Sequence, residues 1–265
     1  MAKTAIQETS SRWKQLLHGV KTLQTYTDEF ARMAIRIVGL SPLLMHRISD
    51  RAKQELLRPT RKTAADRKAQ TKHSPIQEYR DSVYMPQHWT VVDGVEYEPP
   101  LLGLPGTALK SAMKTGAVLC SGITKADIGR LVHVVMEYVP VWGVPKLHMT
   151  HVRCSDRNRT PDVRTRAILE KWATLVVVDF ARAFIAPEQV LAVLATAGIC
   201  CGVGDWRPEL GGGAYGQFRI VSEDNDDWQR IVAEGGAQAQ QDALENPAPY
   251  NEETGHLLTW WLHTA

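Results

Sequence analysis

The chain has 265 residues, 44% of them hydrophobic and 23% charged, with a formal net charge of +2. This composition excludes wholesale disorder and a fibrous repeat, and it fits one soluble domain carrying insertions. No apolar run reaches the roughly 18–20 residues that span a bilayer, and residues 1–28 hold no signal-peptide core, so a cytoplasmic protein is expected.

Helical spacing of Trp13, Leu16, Leu17, Val20 and Leu23 predicts a short amphipathic helix over Ser10–Phe30. Met33–Leu40 alternates and is β-rich, which predicts a first strand ended by Ser41-Pro42. A basic helix is expected over Ser49–Leu57, then a polar loop over Arg58–Ser74 without apolar periodicity. Asp93-Gly94, between Val91-Val92 and Val95, is a hairpin signal. A helix is expected from Leu104-Pro105-Gly106-Thr107 to Leu119, because proline suits a first turn. Leu131–Val139 predicts a second strand, Lys146–Trp172 a polar, basic excursion, and Ala173–Phe180 a central third strand. Pro187–Ala197 predicts a second helix stopped by Gly198, and Gln217–Val221 a fourth strand.

The order is β-α-β-β-α-β, which predicts an α+β, ferredoxin-like (RRM-type) core with long basic insertions. Residues 33–41, 104–139 and 173–222 would form the core of a single domain over 1–265. Residues 46–100 and 146–172 would be insertions, and 223–265 an acidic extension. The first insertion holds nine basic residues between Arg47 and Lys72 against Asp50, Glu55 and Asp66. The second holds Lys146, Arg153, Arg157, Arg159, Arg164, Arg166 and Lys171. Segregated basic segments present a polyanion-binding face even on a near-neutral chain. Cys120, Cys154, Cys200 and Cys201 form no C-x-x-C pair, so buried thiols are expected, with no metal and no cofactor.

Two segments carry the strongest chemical signal. Gly202–Gly216 (GVGDWRPELGGGAYG) is rich in glycine, which tolerates positive φ and leaves backbone N–H groups uncovered for phosphate oxygens. Arg207 would add charge there, and Trp206 and Tyr215 would stack on bases. The loop follows a helix and precedes a strand, so it is not a Rossmann fingerprint. It lacks Gly-Lys-Ser/Thr, so it is not a P-loop. The second segment, Leu104–Lys110, places Gly106-Thr107 at a helix N-terminus, with Lys110 and Lys114 one and two turns on, where an anion would be favoured.

Together with Ser41-Pro42-Leu43-Leu44 after the first strand, these segments resemble the RAMP superfamily, above all the backbone subunits of CRISPR effector complexes. Leu104–Lys110 is similar to that family's first helix start. Gly204 and Gly211-Gly212-Gly213-Ala214-Tyr215-Gly216-Gln217 are similar to its glycine-rich loop, with Gln217 where a basic residue is frequent. The resemblance implies a ferredoxin-like fold and copies stacked along a single-stranded guide RNA, beside other effector subunits. The two basic segments would then be insertions that touch RNA and neighbours. The residues expected to bind nucleic acid are Lys110, Lys114, Arg207, Gly211, Gly212, Gly213 and Tyr215. Arg47, Arg51, Arg61, Lys62, Arg157, Arg159 and Arg164 of the insertions complete the set. Two rival readings keep the fold: a phage-type or plasmid-type single-stranded DNA-binding or annealing protein, and a metal-independent endoribonuclease acting through His46. His148, His151 and Asp156 make a metal site conceivable, and the apolar end Leu257–Leu262 would dock on the core or on a neighbour.

Overall fold

The computed structural model describes residues 22–27, 30–57, 74–153, 161–210 and 212–264. The elements begin with β1 (Thr22–Thr27), β2 (Phe30–Gly39), β3 (Leu43–Leu44), α1 (Asp50–Leu57), α2 (Pro75–Asp81) and β4 (Gly103–Pro105). Next come α3 (Gly106–Gly116), α4 (Lys125–Leu131), β5 (Val132–Val134), β6 (Tyr138–Trp142), β7 (Pro145–Arg153), β8 (Pro161–Leu169) and β9 (Ala173–Ala181). The chain continues with α5 (Pro187–Cys200), β10 (Phe218–Val221), α6 (Asp226–Glu234), α7 (Ala237–Glu245) and α8 (Glu252–Thr264). The fold is mixed α+β, built on antiparallel strands.

Strands β2 and β9 are the spine, paired antiparallel from Phe30↔Ala181 to Val38↔Ala173. The outer edge of β2 is shared by β1 and β10, and the outer edge of β9 by β5 and β6, with β4 beyond β6. Alternation along β2 sends Met33, Ile35 and Ile37 to one face, all fully buried, and Arg32 and Arg36 to the other. Helices α3 and α5 cover the Ile37 face. They cross closely, since a Cβ on Gly116 would sit about 3.0 Å from Ala197. Gly198 lies inside α5 rather than stopping it, because a side chain there would strike Phe218.

Helix α6 covers the Arg36 face. Trp228 meets Trp142 edge-on at 5.5 Å between ring centroids, and the Arg36 guanidinium lies 5.8 Å above the Trp228 ring. Arg36 also pairs with Glu223 at 2.9 Å, and Arg219 with Asp227 at 2.9 Å. The acidic extension is thus packed on the sheet and is no loose tail. Trp228, Ile231 and Leu244 belong to the main core.

Several expectations need correction. Thr22–Thr27 is strand and Phe30 opens β2, where a helix was expected over Ser10–Phe30; residues 10–21 lie outside the described residues. The second strand is split, because Gly106 approaches Met136 and its N–H bonds the Glu137 carbonyl oxygen at 2.7 Å. Lys146–Trp172 is an antiparallel hairpin, β7–β8, rather than an irregular excursion. The Asp93-Gly94 turn forms, with Gly94 at φ +77°, but no strands flank it among the described residues. Of the loop expected over Arg58–Ser74, residues 58–73 lie outside the described residues, and Ser74 caps α2. Of the cysteines, Cys201 is buried, Cys120 half-buried and Cys200 exposed, and Cys154 lies outside the described residues. Among the described residues no helix is long and apolar enough to cross a membrane.

One buried amide ties the C-terminal extension to the sheet. The Gln240 side chain, fully buried, accepts from the N–H groups of Leu101 and Leu102 at 2.8 and 2.9 Å. It donates to the carbonyls of Val141 and Gly143 at 2.8 and 3.1 Å. Gln240→Leu keeps the volume and orphans four backbone groups, each costing about 1–3 kcal/mol when buried unpaired. The variant is expected to lose at least about 3 kcal/mol in urea unfolding, and a loss below about 1 kcal/mol would remove this role from Gln240.

Candidate functional site

Four segments far apart in the chain close one cleft of about 370 Å³. Met45 and His46, just after β3, form one wall with Tyr84. Leu104, Pro105, Thr107, Ala108 and Ser111, at the β4–α3 junction, form another. Val203, Gly204, Asp205 and Arg207 of the glycine-rich segment form the third. Met45, Leu104, Pro105, Ala108 and Val203 supply apolar lining, and hydroxyl, imidazole, carboxylate and guanidinium side chains share it.

The glycine-rich segment works by backbone packing. It doubles back as a ribbon, in which the Val203 N–H bonds the Gly216 carbonyl oxygen at 3.0 Å and the Tyr215 N–H bonds that of Trp206 at 3.2 Å. The ribbon is stitched to the segment after β2. Asp205 N–H donates to the Leu44 carbonyl oxygen at 2.9 Å, and Gly216 N–H to that of Pro42 at 2.8 Å. A Cβ on Gly204 would press on Leu44, and one on Gly216 would drive into the Val203 carbonyl. Gly216 also sits at φ +71°. The expectation that this run leaves its amides uncovered for phosphates is therefore corrected, since several of them are spent inside the fold. At the tip, Gly212 (φ +105°) has open space around it.

The hairpin holds the ribbon through an ion pair whose arginine is buried. Arg166, with 3% of its side chain exposed, pairs with Asp205 and donates to Thr150 Oγ1 at 2.9 Å. Asp205 in turn accepts the Trp206 N–H at 3.0 Å. Removing Asp205 would leave the Arg166 charge buried without its partner, a loss that typically costs about 3–5 kcal/mol. His148 stands directly opposite Arg166 across the hairpin, nearly fully buried, with its Nδ1 unpartnered and its ring edge-on to Tyr250 at 5.1 Å.

The expected site residues separate into groups. His46 is exposed at the cleft. Desolvation at the cleft wall lowers its pKa from the usual 6.5, Asp205 opposes that shift, and Arg166 and Arg164 add to it. Arg207 lines the cleft, but its guanidinium is engaged by Glu209 at 2.9 Å and by the Gly204 carbonyl at 3.0 Å. Glu209 also accepts from Thr115 Oγ1 at 2.6 Å, so Glu209, held by Arg207, ties the ribbon to α3. Lys110 turns away from the cleft to the Ile128 carbonyl at the end of α4. Burial and Lys114 bring its pKa down to about 8. Lys114 is exposed one turn on. Arg47 follows His46, and its N–H bonds the Ser82 carbonyl at 2.9 Å. Arg164 lies on β8 opposite Thr150. Gly213 underlies the Trp206 carbonyl, and Tyr215 lies near Arg166 and Tyr250. Gly211, Arg61, Lys62, Arg157 and Arg159 lie outside the described residues, as does the side chain of Arg51. Among the described residues, no group of three His, Cys, Asp or Glu side chains stands close enough to hold a metal.

Sequence reading missed Tyr84, Ser111 and Asp205. Asp205 carried a signal, as one of two acids, with Glu209, inside a glycine-rich segment read as anion-binding. A scan against protein-family models gives no match, and a search of curated proteins gives none.

The His148 environment makes stability depend on pH. Desolvation chiefly lowers its pKa and Arg166 adds to this, while Glu253 opposes them. An unfolded histidine takes its proton near pH 6.5, which the folded site resists. Stability is therefore full above about pH 6.5 and falls as pH drops below it. His148→Phe is expected to lose less stability than the native chain between about pH 7 and pH 5 in urea unfolding. Equal losses in the two proteins would exclude His148 as a source.

Proposed function

We propose that the chain is a single-stranded nucleic-acid-binding protein with a ferredoxin-like, RAMP-type core, a non-enzymatic subunit that lines up in copies along a guide RNA. The observation that carries this reading is the convergence at the cleft. Ser41–Leu44, Leu104–Lys110 and Gly202–Gly216 resemble RAMP elements in sequence; the first joins the third through the Pro42, Leu44 and Gly204 backbone contacts, and the second and third line one cleft beside Met45 and His46. Strand order supports the fold reading. With β2, the β5–β6 pair, β9 and β10 taken as core strands one to four, the spatial order is four, one, three, two, with α3 and α5 on one face. Helix α6 occupies part of the opposite face, where an RRM stacks its bases, so the cleft and the adjoining hairpin are the surface left for a strand.

Binding of this kind is largely electrostatic, with a salt slope of about −0.7 per phosphate contact on single strands. Lys114→Glu combined with Arg164→Glu is expected to weaken binding of a labelled RNA about tenfold and to flatten the salt slope by about 1.4. Unchanged affinity would sink the reading. Tighter binding of the matching DNA would point instead to a single-stranded DNA-binding protein.

One observation favours a second reading. His46 lines the same cleft, where an imidazole can accept a proton from a ribose 2′-hydroxyl. An endoribonuclease acting through it would cut RNA in the presence of a chelator, and His46→Ala would lower the rate at least about a hundredfold. A variant that cuts as fast as the native protein would exclude it.

A further inference from the structure

The glycine-rich ribbon presents one aromatic side chain in an unfavourable way. Trp206 has φ +51°, the one residue other than glycine with positive φ among the described residues. An L residue pays a steric cost in that region, and such outliers persist only where their surroundings hold them. Here three features hold it. Its N–H is taken by Asp205 Oδ1 at 3.0 Å, and the other oxygen of Asp205 is fixed by the buried Arg166. Its carbonyl accepts the Tyr215 N–H at 3.2 Å. Only a glycine fits at 213, where any Cβ would drive into that same carbonyl. All this fixes a side chain that adds little to the core, because Trp206 is 50% exposed. Among the described residues its ring has no aromatic or cationic partner. Its two sequence neighbours, Asp205 and Arg207, both line the cleft.

We infer that Trp206 is a stacking platform for one unpaired base at the rim of the cleft, and that the ribbon is strained in order to present it. The inference rests on the nucleic-acid reading above and names the contact that reading leaves open. An indole offers a large flat face to any of the four bases, so it grips a strand without selecting a sequence. The stack adds a contact that salt does not screen, which a phosphate contact cannot supply.

The test uses a labelled oligouridine RNA of about 20 nucleotides and an abasic strand of the same length, so that base and backbone contributions separate. Trp206→Gly removes the ring and relieves the strain, and Trp206→Phe keeps a flat ring. Trp206→Gly is expected to melt no lower than the native protein, yet to bind the RNA at least about fivefold more weakly. Its salt slope should be unchanged, and it should bind the abasic strand as the native protein does. Trp206→Phe should stay within about threefold of native affinity for the RNA. If the native protein binds RNA and Trp206→Gly binds it equally well, the stacking role falls while the nucleic-acid reading stands. That is also the outcome for an indole exposed to contact another protein. A loss that extends equally to the abasic strand would assign Trp206 to loop shape and overturn the inference. If the native protein binds neither strand, both readings fall.

Discussion

Backbone meeting backbone without side chains between is the constraint on which the rest of this structure depends. The ribbon Gly202–Gly216 lies so close to the segment after β2 that the Gly204 and Gly216 positions have no room for a Cβ. That closeness lets the Asp205 and Gly216 N–H groups reach the Leu44 and Pro42 carbonyls. It brings Asp205 within reach of Arg166 on the hairpin and sets Val203, Gly204 and Arg207 against the start of α3. The glycines are therefore used for proximity first, and only the tip around Gly212 keeps open space.

A second constraint is the allocation of the two sheet faces. The Ile37 face takes α3 and α5, as its alternation dictates. The Arg36 face combines charge with apolar surface, and it is answered by a helix of matching character. Trp228 supplies the ring that packs on Trp142 and lies under Arg36, while Glu223 and Asp227 answer Arg36 and Arg219. Exposed ion pairs of this kind contribute little stability individually. Trp228, with about 7% of its surface exposed, is the stronger anchor. The acidic extension thus answers the charge of this sheet face.

Much of this was legible in the sequence because the core strands announce themselves. Met33–Leu40 and Ala173–Phe180 lie within one residue of β2 and β9 at their C-terminal and N-terminal ends, since alternation and β-branched runs are local signals. The helix start at Pro105-Gly106 was legible for the same reason. What escaped depended on distant partners. Gly198 reads locally as a stop, yet it lies within α5 because Phe218 requires the space. The hairpin reads as a polar excursion, because Arg166 and His148 look exposed until Asp205 and Tyr250 are brought against them. The cleft drew its expected and unexpected residues from four places in the chain. Thr107 and Arg207 came with motifs, whereas Tyr84 and Ser111 reach it through packing that no short pattern encodes.

The buried Gln240 amide has a kinetic consequence. It bonds to groups 97 to 139 residues earlier in the chain, and these include the Leu101 and Leu102 amides just before β4. Tyr79 and Arg80 of α2 likewise donate to the carbonyls of Ala243, Leu244 and Glu245, over 164 or 165 residues. Closing loops of this length slows folding. On a ribosome moving at about 5–20 residues per second, the sheet edge waits on the order of ten seconds for its last partners. The chain therefore completes its core from the C-terminal end, and an interval of exposed edge is built into its synthesis.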